Sequence, residues 1–406
     1  MYSFPEEFSQ GRACLSYADL ATAGQNFCGK LYIGLVVGEI SGDLLAADFI
    51  QSLLKKNLQL KITGILGPNI RSLKHSNLEL QELYRMEDVA VMGLVEPLKH
   101  LPKLLKIRSG LIKYFKENPP RAFLGIDAPD FNLALELKLK NFGIKTVHYV
   151  GPSVWAWRKG RIFKIKKAID GILVLFPFEE EIYKRHDIPV RVIGHPFAEQ
   201  IPLNNLNLNL TKIALLPGSR WSEIKRMGAL YLETAQMLYA QQLDLGLYLN
   251  FIMPLVSVEH KLYLEKIYQE KKLNCPIEFT LKKARTALDG VGLALATSGT
   301  VTLELMLLKI PMVVAYKMNP LGYWLAKKLV KLPYISLPNL LAQDHLVPEF
   351  IQGAASAQNL SQALGDYLNS QNSSKLKDLR QKFQALHQAL ALGGSDLAAK
   401  QFLAWI

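Results

Sequence analysis

Strand-like apolar runs alternate with amphipathic helical stretches from Leu31 almost to the end of the chain, and this alternation restricts the fold to open parallel sheets covered by helices. A first series of strands is expected at 31–37, 61–66, 121–126, 145–150, 171–175 and 191–193. A polar, asparagine-rich stretch at 202–210 then reads as a linker. The alternation restarts with strands expected at 212–216, 247–253, 277–280, 293–296 and 312–316, and 359–406 is helical in pattern throughout. The expected fold class is α/β, two Rossmann-like domains facing each other across a cleft, with C-terminal helices. Residues 31–200 would form the first domain and 201–406 the second, while residues 1–30, without clear periodicity, read as a loosely ordered N-terminal extension.

Half of the 406 residues are hydrophobic, enough for two cores. No apolar run reaches the roughly 18–20 residues needed to span a bilayer, and the first thirty residues lack the order of a signal peptide, so a cytoplasmic location is expected. The three cysteines have no metal-ligand spacing and read as reduced and structural. The formal charge of +13 calls for an anionic partner. Two stretches, 99–116 and 323–334, interleave Lys and Arg with Leu, Tyr, Phe and Trp. Lys103, Lys106, Lys113, Trp324 and Lys327 are the candidate contacts with an anionic membrane surface; the plainer alternative is a solvated basic face on an ordinary helix. No nucleic-acid module is recognisable, so nucleic acid is not expected as a partner.

In open α/β sheets ligands bind beyond the carboxyl ends of the strands. The expected strand 121–126 ends on Asp127, and Pro129 opens the next helix. Asp127 is the first candidate for a reactive carboxylate, with helix capping as its competing role, which Asp130 could share. The expected strand 212–216 runs into Pro217-Gly218-Ser219-Arg220, where glycine lets a phosphate approach the backbone and arginine can clamp a diphosphate. Another expected strand ends in Ser298-Gly299-Thr300, with Glu304 one turn into a helix, a place for phosphate at the helix N-terminus and for a ribose diol at the carboxylate. The alternative there is a Thr300 N-cap with Glu304 supporting the first turns. Glu39, Ser41 and Asp43 follow the first strand at the same edge. Dinucleotide and P-loop fingerprints are absent, and no Asp-x-Asp is placed to hold a metal on a sugar nucleotide; neither a metal nor another cofactor is expected.

Taken together, these segments resemble the lipid-A-disaccharide synthase family, inverting glycosyltransferases of GT-B architecture. The resemblance runs from about Leu31 to the C-terminus through GEISGD (38–43), VAVMGLVEPL (89–98), GIDAPDFN (125–132), PSVWAWR (152–158), IGHP (193–196), LLPGSR (215–220) with Glu223, ATSGTVTLE (296–304) and SLPNLLA (336–342). It implies transfer of a diacylated glucosamine from its UDP derivative to diacylglucosamine 1-phosphate, releasing UDP without a metal. It further implies Asp127 as base, Glu39, Ser41 and Asp43 on the acceptor side, and Ser219, Arg220, Ser298, Gly299, Thr300, Glu304 and Asn339 on the UDP side. Peripheral association with the inner membrane and a possible homodimer through the C-terminal helices also follow from it. Gly151 departs from the family pattern, where a serine is expected. Two rival readings remain at this point: a UDP-sugar epimerase or another GT-B transferase, and a non-catalytic protein that binds anionic lipid or nucleic acid on a degenerate sugar-nucleotide fold.

Overall fold

A computed structural model describes residues 29–89, 96–155, 160–203, 208–329, 332–369 and 373–406. The extension up to residue 28, the middle of the VAVMGLVEPL block and the AWR end of PSVWAWR lie outside the described residues.

The first sheet has seven parallel strands: β1 (Leu31–Val37), β2 (Leu60–Leu66), β3 (Leu78–Arg85), β4 (Ala122–Ile126), β5 (Lys145–Tyr149), β6 (Gly171–Val174) and β7 (Val190–Val192). Their spatial order is β3-β2-β1-β4-β5-β6-β7. The second sheet has six: β8 (Asn209–Leu216), β9 (Asn250–Pro254), β10 (Ile277–Thr280), β11 (Val291–Thr297), β12 (Met312–Tyr316) and β13 (Glu349–Ile351), in the order β10-β9-β8-β11-β12-β13. The direction of winding reverses between β1 and β4 and again between β8 and β11. Loops at such a reversal splay to opposite faces and leave a crevice at the carboxyl ends of the strands. Both expected ligand edges lie at these two positions.

The central strands are buried on both faces, with β4 and β11 enclosed from end to end, as their unbroken apolar runs require. Strands β3 and β13 were not expected. Strand β3, LELQELYR, is an edge strand with only one neighbour, and its mixed polar sequence lacks the apolar run that marks the interior strands.

One domain expectation needs correction. The last helix, Gly394–Trp405, packs on the first sheet's layer rather than within 201–406. Phe402 meets Phe49 edge to face at 5.4 Å, and Trp405 lies so close to Gly171 that a Cβ there would come within 2.6 Å of its ring. The periodicity of 394–405 gives the helix an apolar face but does not say which sheet that face covers.

The chain passes between the sheets at Gly194-His195-Pro196. The buried His195 Nδ1 accepts the Phe197 N–H at 3.2 Å and caps the short helix Pro196–Gln200, while the His195 N–H donates to the Leu390 carbonyl at 3.0 Å. Burial pulls the imidazole down to about 4, so the fold holds it neutral. The unfolded chain therefore binds this proton first, and stability is lost as pH falls through the ordinary histidine range toward 4, by up to about 1.4 kcal/mol per pH unit. His195→Asn keeps an acceptor for the cap but cannot titrate. It is expected to flatten that part of the decline in melting temperature with pH; an unchanged profile would count against His195 as its source.

Candidate active site

Strand β4 pairs with β5 so that Gly125 lies beside His148 and Ile126 beside Tyr149. The Asp127 N–H extends the ladder to the Tyr149 carbonyl at 2.9 Å, and there the backbone turns sharply. Asp127 and Ala128 both adopt left-handed conformations, with φ of +52° and +43°. Such conformations cost non-glycine residues about 1–3 kcal/mol each and persist only when their surroundings enforce them. Asn132, fully buried, provides that enforcement: its Nδ2 donates to the Asp127 carbonyl at 2.8 Å and to the Ile126 carbonyl at 3.3 Å. Gly38 completes the fit, since a Cβ there would lie 2.4 Å from the Cβ of Ala128.

The turn separates Asp127 from the capping role. The N-cap of helix Pro129–Asn141 is Ala128, and no side chain caps it. Asp127 is half-buried one residue earlier, beside Gly42 of helix Ile40–Leu54. Glu39 stands at the N-terminus of that helix. Burial raises its carboxyl above the usual range, the charge of Asp127 adds to the rise, and Arg220 opposes it. Glu39 thus lies in the field of Asp127 on its own sheet and of Arg220 on the other. Ser41 is exposed on the first turn of the helix.

Asp43 has a role in the fold that its place in the sequence does not show. It is fully buried, and its carboxylate accepts from the Asn69 N–H (2.7 Å), Asn69 Nδ2 (2.9 Å) and the Ile70 N–H (3.2 Å). It anchors the short helix Pro68–Arg71 to the first sheet.

Across the cleft, Gly218 is left-handed at φ +110°, which lets the chain turn back onto Glu223. Glu223 Oε2 accepts the N–H groups of Ser219 (3.1 Å) and Arg220 (3.2 Å), fixing the entry to helix Trp221–Leu243. Ser219 and Arg220 are exposed. The loop after β11 lies beside them, where Gly299, not Thr300, is the N-cap of helix Thr300–Leu307. Gly299 and Thr300 are exposed, and Ser298 Oγ donates to the Ile335 carbonyl at 2.6 Å.

Glu304 is mostly buried, which raises its carboxyl pKa, and Arg285 at 3.7 Å opposes that rise. Sequence reasoning missed Arg285, which nothing in its local pattern distinguishes. Its guanidinium lies 5.1 Å from the Phe197 ring centre and donates to Gln200 Oε1 at 3.3 Å, and Gln200 Nε2 donates to Asp48 at 2.9 Å. This chain of contacts runs from the second sheet to helix Ile40–Leu54 of the first.

Asn339 likewise carries a role in the fold. It is fully buried with both ends of its amide engaged: Nδ2 donates to the Val347 carbonyl and Glu349 Oε1, each at 2.8 Å, and Oδ1 accepts from Leu346 and Val347, each at 2.9 Å. It staples the loop into β13. Glu349, also missed, accepts the N–H groups of Ile335 (2.9 Å) and Ser336 (2.8 Å) and so supports the loop that Ser298 touches.

On helix Glu96–Glu117, Ile107, Leu111 and Phe115 face the core, while Leu101, Leu105, Lys103, Lys106 and Lys113 are exposed. Lys103 is paired with Asp88 at 2.8 Å. Trp324 and Lys327 are exposed on helix Pro320–Leu329. Among the described residues, no helix is long and apolar enough to cross a membrane, and no three His, Cys, Asp or Glu side chains are grouped to hold a metal.

Solved structures with similar folds include MurG of Acinetobacter baumannii (TM-score 0.54, 14% identity, 93% of this chain and 100% of that one). A UDP-GlcNAc 2-epimerase of Neisseria meningitidis bound to UDP-GlcNAc is also similar (TM-score 0.56, 12% identity, 93% and 100%). At such low identities these likenesses concern the fold, which is that of GT-B glycosyltransferases. Similarity in sequence goes further. The lipid-A-disaccharide synthase of Yersinia pseudotuberculosis is 43% identical over 383 residues, 92% of this chain and 94% of the relative. That of Vibrio cholerae is 43% identical over 386 residues, 92% and 98%. The family profile described as lipid-A-disaccharide synthetase matches residues 33–402. With two facing sheets whose switch points bear a carboxylate on one side and an arginine on the other, and with this similarity along nearly its whole length, the chain belongs to the lipid-A-disaccharide synthetase family of glycosyltransferases.

Proposed function

We propose that Asp127 is the general base of the family's reaction in this chain. That reaction joins UDP-2,3-diacylglucosamine to 2,3-diacylglucosamine 1-phosphate, giving a β-1,6 disaccharide 1-phosphate and UDP. The acceptor's primary hydroxyl oxygen attacks the anomeric carbon of the donor from the face opposite UDP. As that bond forms, the bond to the β-phosphate oxygen breaks, the sugar inverts, and the hydroxyl proton passes to Asp127. Among the described residues none donates a hydrogen bond to the Asp127 carboxylate, so its lone pairs remain available. The single observation carrying this reading is the enforced left-handed turn, which withdraws Asp127 from the helix cap and holds it at the rim of the crevice.

Charge developing on the departing diphosphate falls to Arg220, to the exposed turn Gly299–Thr300 and to the N-terminus of helix Thr300–Leu307. The Ser219 and Arg220 amides are occupied by Glu223, so the clamp is the guanidinium of Arg220. Ser219 and Ser298 border this region, and Glu304, held by Arg285, accepts from the ribose. Glu39 and Ser41 face the acceptor. No metal or other cofactor enters the scheme. Because both substrates carry acyl chains, we place the enzyme on the cytoplasmic face of the inner membrane, with Leu101, Leu105, Lys106, Lys113, Trp324 and Lys327 toward the lipid. A homodimer remains part of the proposal on family grounds.

Conversion of the two acylated sugars, followed by thin-layer separation with and without a chelator, tests the reaction; equal rates in both are expected. Asp127→Asn should lower kcat by roughly 10²–10⁴-fold, the usual range for a lost general base, and a wild-type kcat would refute the assignment. Asn132→Ala should also lower kcat, yet add little in the Asp127→Asn background, because both changes remove the same base; losses that multiply would make Asn132 a purely structural residue. Arg220→Ala should weaken UDP binding by roughly tenfold or more in a calorimetric titration, and unchanged affinity would remove the clamp. Reversing Lys106 and Lys113 to Glu should release the protein from anionic vesicles; undiminished co-sedimentation would remove this face from membrane contact.

A further inference from the structure

Beside the Asp127 turn a groove of about 660 Å³ runs between helices Pro129–Asn141 and Arg161–Ala168. It opens next to Pro129, two residues beyond Asp127. Leu133, Ala134 and Leu137, successive positions along one side of the first helix, form an apolar floor, and Arg161, Lys164 and Lys167 line the other side.

The cations are not alike. Arg161 is paired with Asp130 at 2.5 Å, and on the outer side of the same helix Lys166 pairs with Asp187 at 3.2 Å. Lys164 and Lys167 are exposed, and among the described residues neither has a carboxylate partner. The first turn of helix Arg161–Ala168 has no acidic residue and no side-chain cap, so its N–H groups add to the positive potential at the groove mouth. Two unmatched ammonium groups over a leucine floor suit a ligand with an anionic head and a hydrocarbon tail.

We infer that this groove binds the acceptor, its phosphate monoester against Lys164 and Lys167 and one acyl chain along Leu133 and Leu137. The inference rests on Asp127 as base, because the groove mouth adjoins that residue. The acceptor's anomeric carbon, which bears the phosphate, and the carbon that bears its hydroxymethyl group both flank the ring oxygen, so phosphate and primary hydroxyl project a short distance apart from one edge of the sugar. Anchoring the phosphate beyond Pro129 therefore restricts the hydroxyl to the neighbourhood of Asp127, and binding energy away from the reacting bond becomes orientation at it.

The test compares the wild type with Lys164→Glu/Lys167→Glu, using diacylglucosamine 1-phosphate and its dephosphorylated counterpart as acceptors in neutral detergent micelles. With the phosphorylated acceptor the variant should show a KM raised tenfold or more, with kcat little changed. With the dephosphorylated acceptor, variant and wild type should coincide. An unchanged KM for the phosphorylated acceptor overturns the inference, as does an equal loss on both acceptors. Asp127→Asn in the same assay should lose kcat on both acceptors; its failure to do so would refute the base assignment, whereas only the phosphate-dependent KM speaks for the groove.

Discussion

The acceptor half of the site depends on two consecutive residues being held in a conformation they would not adopt alone. A strand that ended regularly at Ile126 would carry Asp127 into the first turn of the following helix, where a carboxylate ordinarily serves the helix's own N–H groups. The left-handed pair Asp127–Ala128 breaks that continuity. Its cost is met by the buried amide of Asn132 and by the close approach of Gly38 to Ala128. Asn132 and Glu136 crowd against Gly125, and Glu136 reaches through to His148 on β5 at 2.7 Å in a fully enclosed pair. A Cβ at Gly125 would collide with Glu136 Oε1. Gly38, Gly125 and Asn132 therefore serve one purpose, the placement of one carboxylate.

The opposite half is built differently. Glu223 and Glu349 spend carboxylate oxygens on backbone N–H groups to shape two loops, leaving Ser219, Arg220, Gly299 and Thr300 exposed between them. The two halves are also joined. The contacts from Glu304 through Arg285 and Gln200 to Asp48 reach from the nucleotide side to the helix that begins beside Glu39. The return of helix Gly394–Trp405 to the first sheet adds a second crossing. The proposed transfer, between a nucleotide on one sheet and a hydroxyl on the other, needs a settled distance between them, and these crossings tie the two sheets together.

The sheets were legible because buried parallel strands leave unbroken apolar runs, and the loops that matter follow from where those runs end. Asp127, Glu39, Arg220 and Glu304 could be found that way. The structural roles of Asp43 and Asn339 were not legible for a common reason: a polar residue near a ligand edge looks the same in sequence whether or not the fold engages its side chain. The groups that consume Asp43 belong to Asn69 and Ile70, and those that engage Asn339 lie at 346–349. Such partners come together only in three dimensions. Arg285 was invisible for the converse reason, since its importance lies wholly in what it touches. Strand β3 escaped notice because an edge strand need not be apolar.

Gly151, the one visible departure from the family's sequence pattern within the fold, has a local explanation. A Cβ at that position would lie 2.7 Å from Glu179 Oε1 and 3.0 Å from the hydroxyl of Tyr183. Glu179 is buried and accepts the Phe176 N–H at 3.2 Å, and burial raises its carboxyl to about 8, so the fold carries it neutral near pH 7. Tyr183 in turn donates to the Pro152 carbonyl at 3.2 Å, which fixes the start of the PSVWAWR loop. A serine at 151 would have to displace one of these two side chains. The glycine makes room for a packed neutral acid and a tyrosine that set the path of the loop.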